Sequence, residues 1–386
     1  MAPPSERATV DARLAWAVTR AIVGSAYAYH PDNIDTDRFG RLGGVRGLLQ
    51  RLGTALRARL RQRGLLWVSR RYASDIYRVD VLSDHFEGLS RVYRMLGDEI
   101  SRDLLVQLLA YFVLEHERVR LPTNTPAYAA NRALVDTLVC GGDSIPVPFL
   151  GWKLSLFDLG RIGFPIRLYF VPMGVLSTFI QQQYSCTHSD PPVAAGEGDI
   201  VIDAGSCWGD TALYFAQRVG PAGQVYAFEF IPGNLAVLER NLALNPGLAG
   251  RVAVVRQPLW SAPGQELAYQ DNGPGSQICG QAPPGAAHTA VTTSIDHFVR
   301  ERGLRRVDFI KMDIEGAELE ALRGATETLR AHRPRLALAV YHSMDDLVRI
   351  PQFLSDLDLG YRFALGHTTI HNEETILFAA PAAAQG

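Results

Sequence analysis

Between residues 311 and 318 the chain reads Lys311-Met-Asp313-Ile-Glu315-Gly316-Ala-Glu318, one cation and three carboxylates in close succession. The apolar pattern marks Asp308–Met312 as a strand and Ala317–Ala331 as a helix, so the acids fall where one hands over to the other. Lys311 and Asp313 are two residues apart and share a strand face. Asp313 is suited to orient an acceptor, to take a proton, or to hold a divalent cation such as Mg2+. Hard cations favour clustered oxygens, which makes Asp313 and Glu315 the candidate metal ligands, although nothing in the sequence demands an ion. Lys311 is suited to keep Asp313 ionised or to stabilise a developing alkoxide. The blander alternative is a structural Lys311–Asp313 ion pair, with Glu315 and Glu318 complementing a helix dipole. His342 follows the next strand, Arg335–Tyr341, and titrates near neutrality when unperturbed, so it too is a candidate catalytic group.

A second constellation is Asp203-Ala-Gly205-Ser-Cys-Trp-Gly209-Asp210-Thr211. It joins a strand, Asp199–Asp203, to a helix, Thr211–Val219. Glycines in such a turn let backbone approach a ligand, and the helix presents its first N–H groups there. Glu229 ends the next strand, Gln224–Phe228, where an acid can accept hydrogen bonds from ribose hydroxyls. The candidate cofactor contacts are therefore Asp203, Gly205, Gly209, Asp210, Thr211 and Glu229. A dinucleotide site needs a second glycine where Cys207 stands, and Trp208 crowds a pyrophosphate. S-adenosylmethionine carries no phosphate, and its ammonium suits an acid such as Asp203 or Asp210. An NAD-dependent oxidoreductase is the alternative on this layout.

These motifs need a scaffold. From residue 199 strands alternate with helices: strands at 224–228, 251–256, 308–312 and 335–341, helices at 235–245, 317–331 and 345–357. Such alternation implies an α/β fold, a Rossmann-like, mostly parallel sheet. Strands Tyr361–Leu365 and Thr375–Ala379 follow with no helix between, so one is antiparallel. Ligands bind at the carboxyl ends of such strands. Asp271–Ala290, rich in glycine and proline, reads as a mobile loop on the acceptor side.

The first part reads as mainly helical. Leucines recur at helical spacing near residues 45–60 and again at Leu104, Leu105, Leu108 and Leu109, while Ser144–Phe149 looks like a connector. Residues 41–71 hold nine arginines and no acid, suited to peripheral membrane contact or to a solvated face. A non-catalytic membrane-associated binding protein is thus a further alternative. The expected division is a helical region over 1–160, a connector over 161–195, a cofactor domain over 196–380 and a tail over 381–386.

At 386 residues, with 47% hydrophobic and 20% charged, the chain is neither disordered nor collagen-like. A net charge of −2 offers no global field for nucleic acid, so none is expected as a partner. Four scattered cysteines suggest neither a zinc site nor a disulfide framework, and a cytoplasmic location is expected. Only Lys153 and Lys311 are lysines among 38 basic residues, which makes the lysine inside the acidic motif conspicuous.

Taken together, Gly198-Asp-Ile-Val-Ile-Asp-Ala-Gly205, Gly209-Asp-Thr-Ala-Leu-Tyr-Phe215, Val225-Tyr-Ala-Phe-Glu229, Val307–Glu318 and Glu374–Ala379 closely resemble the motifs of FkbM-type methyltransferases. Tyr93–Arg102 and Gln183–Tyr184 resemble that family only faintly. Cys207-Trp208 departs from it, since many members carry smaller or aliphatic residues there. The resemblance implies a class I methyltransferase fold, S-adenosylmethionine as cofactor, and methylation of a hydroxyl on a sugar, glycolipid or secondary metabolite. The expected partner is thus a small-molecule or glycan acceptor. The oligomeric state is not legible.

Overall fold

Helical spacing of apolar residues builds the N-terminal part. The structure is a computed structural model and describes residues 6–26, 28, 30, 33, 71–281 and 288–382. There α1 (Glu6–Ser25), α2 (Arg71–Asp84), α3 (Phe86–Met95) and α4 (Glu99–Leu114) are the main helices. The leucine stripe of α4 is buried, with Leu105 and Leu109 among the core residues. Asp98 caps α4, accepting from the Ser101 N–H at 2.8 Å and the Ser101 hydroxyl at 2.7 Å. The basic stretch at 41–71 lies outside the described residues except for Arg71, which opens α2. Among the described residues no helix is long and apolar enough to cross a membrane.

The chain divides into two compact units, residues 1–129 with 367–374 and residues 130–366 with 375–386. The helical region thus stops short of residue 160. β1 (Val139–Pro146), β2 (Lys153–Asp158) and β3 (Arg167–Phe170) form an antiparallel sheet instead. Gly141, Gly142 and Pro146 mask β1, because glycine and proline depress any strand signal. The expected connector at Ser144–Phe149 is therefore half strand, with Ser144, Ile145 and Pro146 paired to Ser155, Leu154 and Lys153.

The larger unit is organised by seven strands: β4 (Ile200–Ala204), β5 (Gln224–Phe228), β6 (Val252–Val255), β10 (Phe309–Met312), β11 (Arg335–Ala339), β12 (Tyr361–His367) and β13 (Thr375–Pro381). Their order is β12-β13-β11-β10-β4-β5-β6. β11, β10, β4, β5 and β6 pair in parallel, whereas β13 runs antiparallel to β11. Met312, Ala337, Leu338, Leu377 and Val201 are fully buried, as a sheet covered on both faces requires. The Gly-rich segment after residue 265 is more ordered than a loop. β7 (Glu266–Gln270), β8 (Gln277–Gln281) and β9 (Thr289–Val291) form a small antiparallel sheet, with residues 282–287 outside the described set.

Two helices matter for the site. α5 (Asp210–Val219) follows β4, and α6 (Pro232–Ala243) follows β5. Asn241 on α6 is fully buried. It accepts from the Tyr169 N–H at 2.7 Å and donates to the carbonyls of Tyr169 at 3.0 Å and Trp208 at 2.9 Å. One side chain thereby satisfies the edge of β3 and pins the turn after β4.

Candidate active site

The β4–α5 turn, the end of β5 and the end of β10 meet at one cleft. Gly205, Cys207, Glu229, Asn234, Leu259, Ile278, Asp313 and Glu315 are among the residues that line it. Its empty space is about 590 Å3 and opens to solvent. The turn is drawn tight: Gly205, Cys207 and Gly209 all have positive φ, at 82°, 42° and 86°. The N–H groups of Gly205 and Ser206 both reach the Phe228 carbonyl at 3.0 Å, which ties the turn to β5.

The expected cofactor residues split into two groups. Gly205 and Glu229 face the cleft, whereas Asp203, Gly209, Asp210 and Thr211 are not part of its lining. Asp203, read from sequence as a partner for an ammonium group, is fully buried and already engaged. Its carboxylate accepts from Ser206 Oγ at 2.8 Å and Thr211 Oγ1 at 2.7 Å, and pairs with Lys311 Nζ at 3.3 Å. Asp210 accepts from Thr178 Oγ1 at 2.9 Å, and burial pushes its carboxyl up to about 6. Gly209 makes room for Leu238, whose Cγ lies 3.1 Å from where a Cβ would sit.

Lys311 takes a different partner from the one the motif suggests. β4 and β10 are neighbours in register, with Lys311 beside Asp203, so the ion pair forms across strands and not to Asp313. Nζ also donates to the carbonyls of Ala204 at 3.1 Å and Gly205 at 2.7 Å. Burial opposes its charge, yet Asp203, Asp313 and Asp210 outweigh that and raise its pKa. With 1% of its side chain exposed, it shapes the glycine turn from behind.

Glu229 is the acid at the cofactor end. It accepts from the N–H groups of Phe230 and Ile231 at 2.6 and 2.8 Å, and from Asn234 Nδ2 at 3.2 Å. Burial still wins and pushes its carboxyl up to about 7. Asn234 also donates to the Gly273 carbonyl at 3.1 Å, so the β7–β8 hairpin is anchored over this end.

After β10, Asp313 gathers donors from Tyr184 and from the adjacent Tyr341 and His342. Tyr184 Oη reaches it at 3.0 Å, Tyr341 Oη at 3.1 Å and His342 Nε2 at 3.2 Å. Burial pushes Asp313 up, but His342, Lys311 and Tyr184 together hold it below the ordinary carboxylate range. Fully buried Glu318 is no surface acid. It accepts from the N–H groups of Ile314 at 2.7 Å and Gly316 at 3.0 Å and lies 3.2 Å from His342 Nε2. Burial opposes a charge on His342, but hydrogen bonds to Asp313 and Glu318 push it up to about 11. His342 is therefore an imidazolium at neutral pH, which removes it as a base. Glu315 sits in the left-handed region at φ 57°, with Oε2 3.6 Å from His342 Nδ1, and burial and the Asp313 charge push it up to about 7.

This strand order, with its last strand reversed and a glycine turn and a buried acid at the carboxyl edge, is the fold of class I, S-adenosylmethionine-dependent methyltransferases. Residues 193–363 match the family model described as the methyltransferase FkbM domain. The methyltransferase sdnD of Sordaria araneosa is 28% identical in an alignment 189 residues long that covers 41% of this chain and 73% of that relative. The crystal structure of methyltransferase FkbM from Methylobacillus flagellatus shares the fold, with a TM-score of 0.53 at 17% identity, covering 90% of this chain and 77% of that one.

The cleft fits the cofactor by its donor set. Desolvated Glu229 is placed to accept from a ribose diol, and Phe230, Ile231, Leu259 and Ile278 offer apolar surface to a purine. Cys207 and Trp208 do not close it: Trp208 is buried, Cys207 lines the wall, and burial raises the Cys207 thiol well above its usual value, so it stays protonated. The turn itself tolerates no side chain at Gly205, where a Cβ would lie 1.9 Å from the Asp313 carbonyl oxygen. Gly205→Ala is expected to cost about 1–3 kcal/mol in overpacking. It should also abolish the rise in melting temperature that S-adenosylhomocysteine produces in the parent protein. A thermal-shift assay with and without that ligand checks both.

Proposed function

We propose that the protein transfers a methyl group from S-adenosylmethionine to a hydroxyl oxygen of a sugar, glycolipid or secondary metabolite. The supporting observation is Asp313: an ionised carboxylate at the cleft wall, held by two tyrosine hydroxyls and an imidazolium, with β4 lying between its strand and the one that leads to Glu229. S-adenosylmethionine supplies an electrophilic methyl group. The chain supplies alignment and a proton acceptor.

Asp313 accepts the hydrogen bond of the incoming hydroxyl and so points its oxygen into the cleft. As the new C–O bond forms and the sulfonium C–S bond breaks, with S-adenosylhomocysteine as the leaving group, the hydroxyl proton becomes strongly acidic. A carboxylate held below its usual pKa is then still basic enough to receive it. Tyr184, Tyr341 and His342 fix the carboxylate's orientation, and His342 balances its charge. Lys311 acts on this chemistry from a distance, through the turn it braces and through its charge, which helps keep Asp313 ionised.

The test is labelled-methyl transfer across sugar, glycolipid and polyketide acceptors, with the product's methylated atom read by NMR. Asp313→Asn is expected to lower turnover by about 10²–10⁴-fold, the usual range for a lost proton acceptor. It should still show the S-adenosylhomocysteine thermal shift. Methyl found on nitrogen or carbon in every productive acceptor would overturn the hydroxyl assignment.

A further inference from the structure

We infer that Asp313, Glu315 and His342 form a divalent-cation site on the acceptor wall of the cleft. This deepens the proposed function, but its binding test does not depend on that reading.

The first observation is geometric. Each of the three residues offers one ligand atom, and these atoms lie within 4.8 Å of one another. Asp313 and Glu315 come from the segment just after β10 and His342 from the segment after β11, so the pairing of those two strands brings them together. His342 Nδ1 and Glu315 Oε2 are 3.6 Å apart. Two ligands on one ion, each bonded at about 2.0–2.2 Å, stand roughly 3–4 Å apart. The donor set mixes oxygen and nitrogen, which suits Mn2+ better than an ion restricted to oxygen ligands.

The second observation lies behind the ligands. Histidines that bind metal almost always have their other ring nitrogen held by a carboxylate or carbonyl. Buried Glu318 lies 3.2 Å from His342 Nε2, with its own oxygens fixed by the N–H groups of Ile314 and Gly316. The Nε2 proton stays between Glu318 and Asp313, each 3.2 Å away, and an incoming ion displaces the Nδ1 proton to solvent, so that Nδ1, on the Glu315 side, is the coordinating nitrogen. Asp313 is steadied in the same way by Tyr184 and Tyr341.

The third is charge. Asp313, Glu315 and Glu318 surround a single imidazole, while Lys311 is spent on Asp203. A dication relieves that excess. Asp313 and Glu315 also line the cleft, which leaves the ion's remaining positions open to an acceptor oxygen. An ion there supplies Lewis acidity toward that oxygen.

The experiment is a titration of chelator-stripped full-length protein with Mn2+, with free ion followed by its EPR signal and no acceptor or cofactor present. One Mn2+ per chain with micromolar or tighter affinity is expected. Glu315→Gln and His342→Asn should each weaken it at least tenfold while circular dichroism and melting temperature show a folded chain. No binding by the parent protein below millimolar Mn2+ overturns the site. So does binding that both folded variants retain at the parent's affinity, since the ion then sits elsewhere. Failure here leaves methyl transfer in the presence of chelator intact. Failure of the hydroxyl assignment leaves Mn2+ binding intact. The two results are therefore separable.

Discussion

Lys311→Ala is expected to destabilise the protein by about 3–5 kcal/mol, the cost of breaking a buried ion pair by removing one partner. Asp203 is fully buried, and without Lys311 its charge has only the Ser206 and Thr211 hydroxyls. The carbonyls of Ala204 and Gly205 lose a donor as well. Asp210 and Asp313 lose the cation that helps keep them ionised. Most of the deficit is uncompensated charge, so Lys311→Met combined with Asp203→Asn should recover a large part of it. A double-mutant cycle by denaturant unfolding measures the coupling. Lys311→Arg is the sharper variant. A chain that uses arginine almost everywhere else has a lysine where 1% of the side chain is exposed, and a planar guanidinium cannot replace a point charge reaching two turn carbonyls. Full stability in Lys311→Arg would make the lysine incidental, and an unchanged melting temperature in Lys311→Ala would refute the pairing argument.

That pair also marks the limit of what the sequence reveals. The acid at the end of β5 and the acid at the end of β10 are legible, because strand–helix alternation places both at the ligand-binding edge. Glu229 and Asp313 do line the cleft. The partner of Lys311 is not legible. It depends on β4 lying beside β10 with Asp203 opposite Lys311, whereas the motif alone presents Asp313 as the nearer acid. Tyr184 is 129 residues from Asp313 and precedes the family-matched segment, so no local spacing connects them. Tyr341 and Glu318 were in plain view but carried ordinary alternatives, a strand residue and a first-turn acid. What makes them part of the site is the convergence of β10 and β11 around His342. The same convergence changes that histidine's role: near-neutral titration is a property of an isolated imidazole, and two carboxylates 3.2 Å away remove it.

Glu229→Gln is expected to weaken S-adenosylhomocysteine binding about 10–100-fold and to flatten its pH dependence. The carboxyl of Glu229 is pushed from 4.5 to about 7 by burial, against the hydrogen bonds of Ile231, Phe230 and Asn234. In the ligand-free protein the folded state therefore holds this proton more tightly than the unfolded chain does. Its contribution to stability is greatest below about pH 4.5 and declines as pH rises toward 7, by up to about 1.4 kcal/mol per pH unit. Ribose hydroxyls donate to the ionised form, so ligand binding pulls the pKa back down and releases the proton. Affinity in the parent protein should therefore rise as pH increases to about 7 and level off above it. Calorimetry near pH 6 in buffers of different ionisation enthalpy should register proton release. Asp210 titrates nearby, at about 6, but does not line the cleft, so the glutamine variant isolates the share owed to Glu229. The loss of affinity follows from replacing hydrogen bonds to a charge, worth about 1.5–3 kcal/mol, by bonds to a neutral amide. Proton release of equal size in the parent and in Glu229→Gln would show that the ribose does not meet this carboxylate.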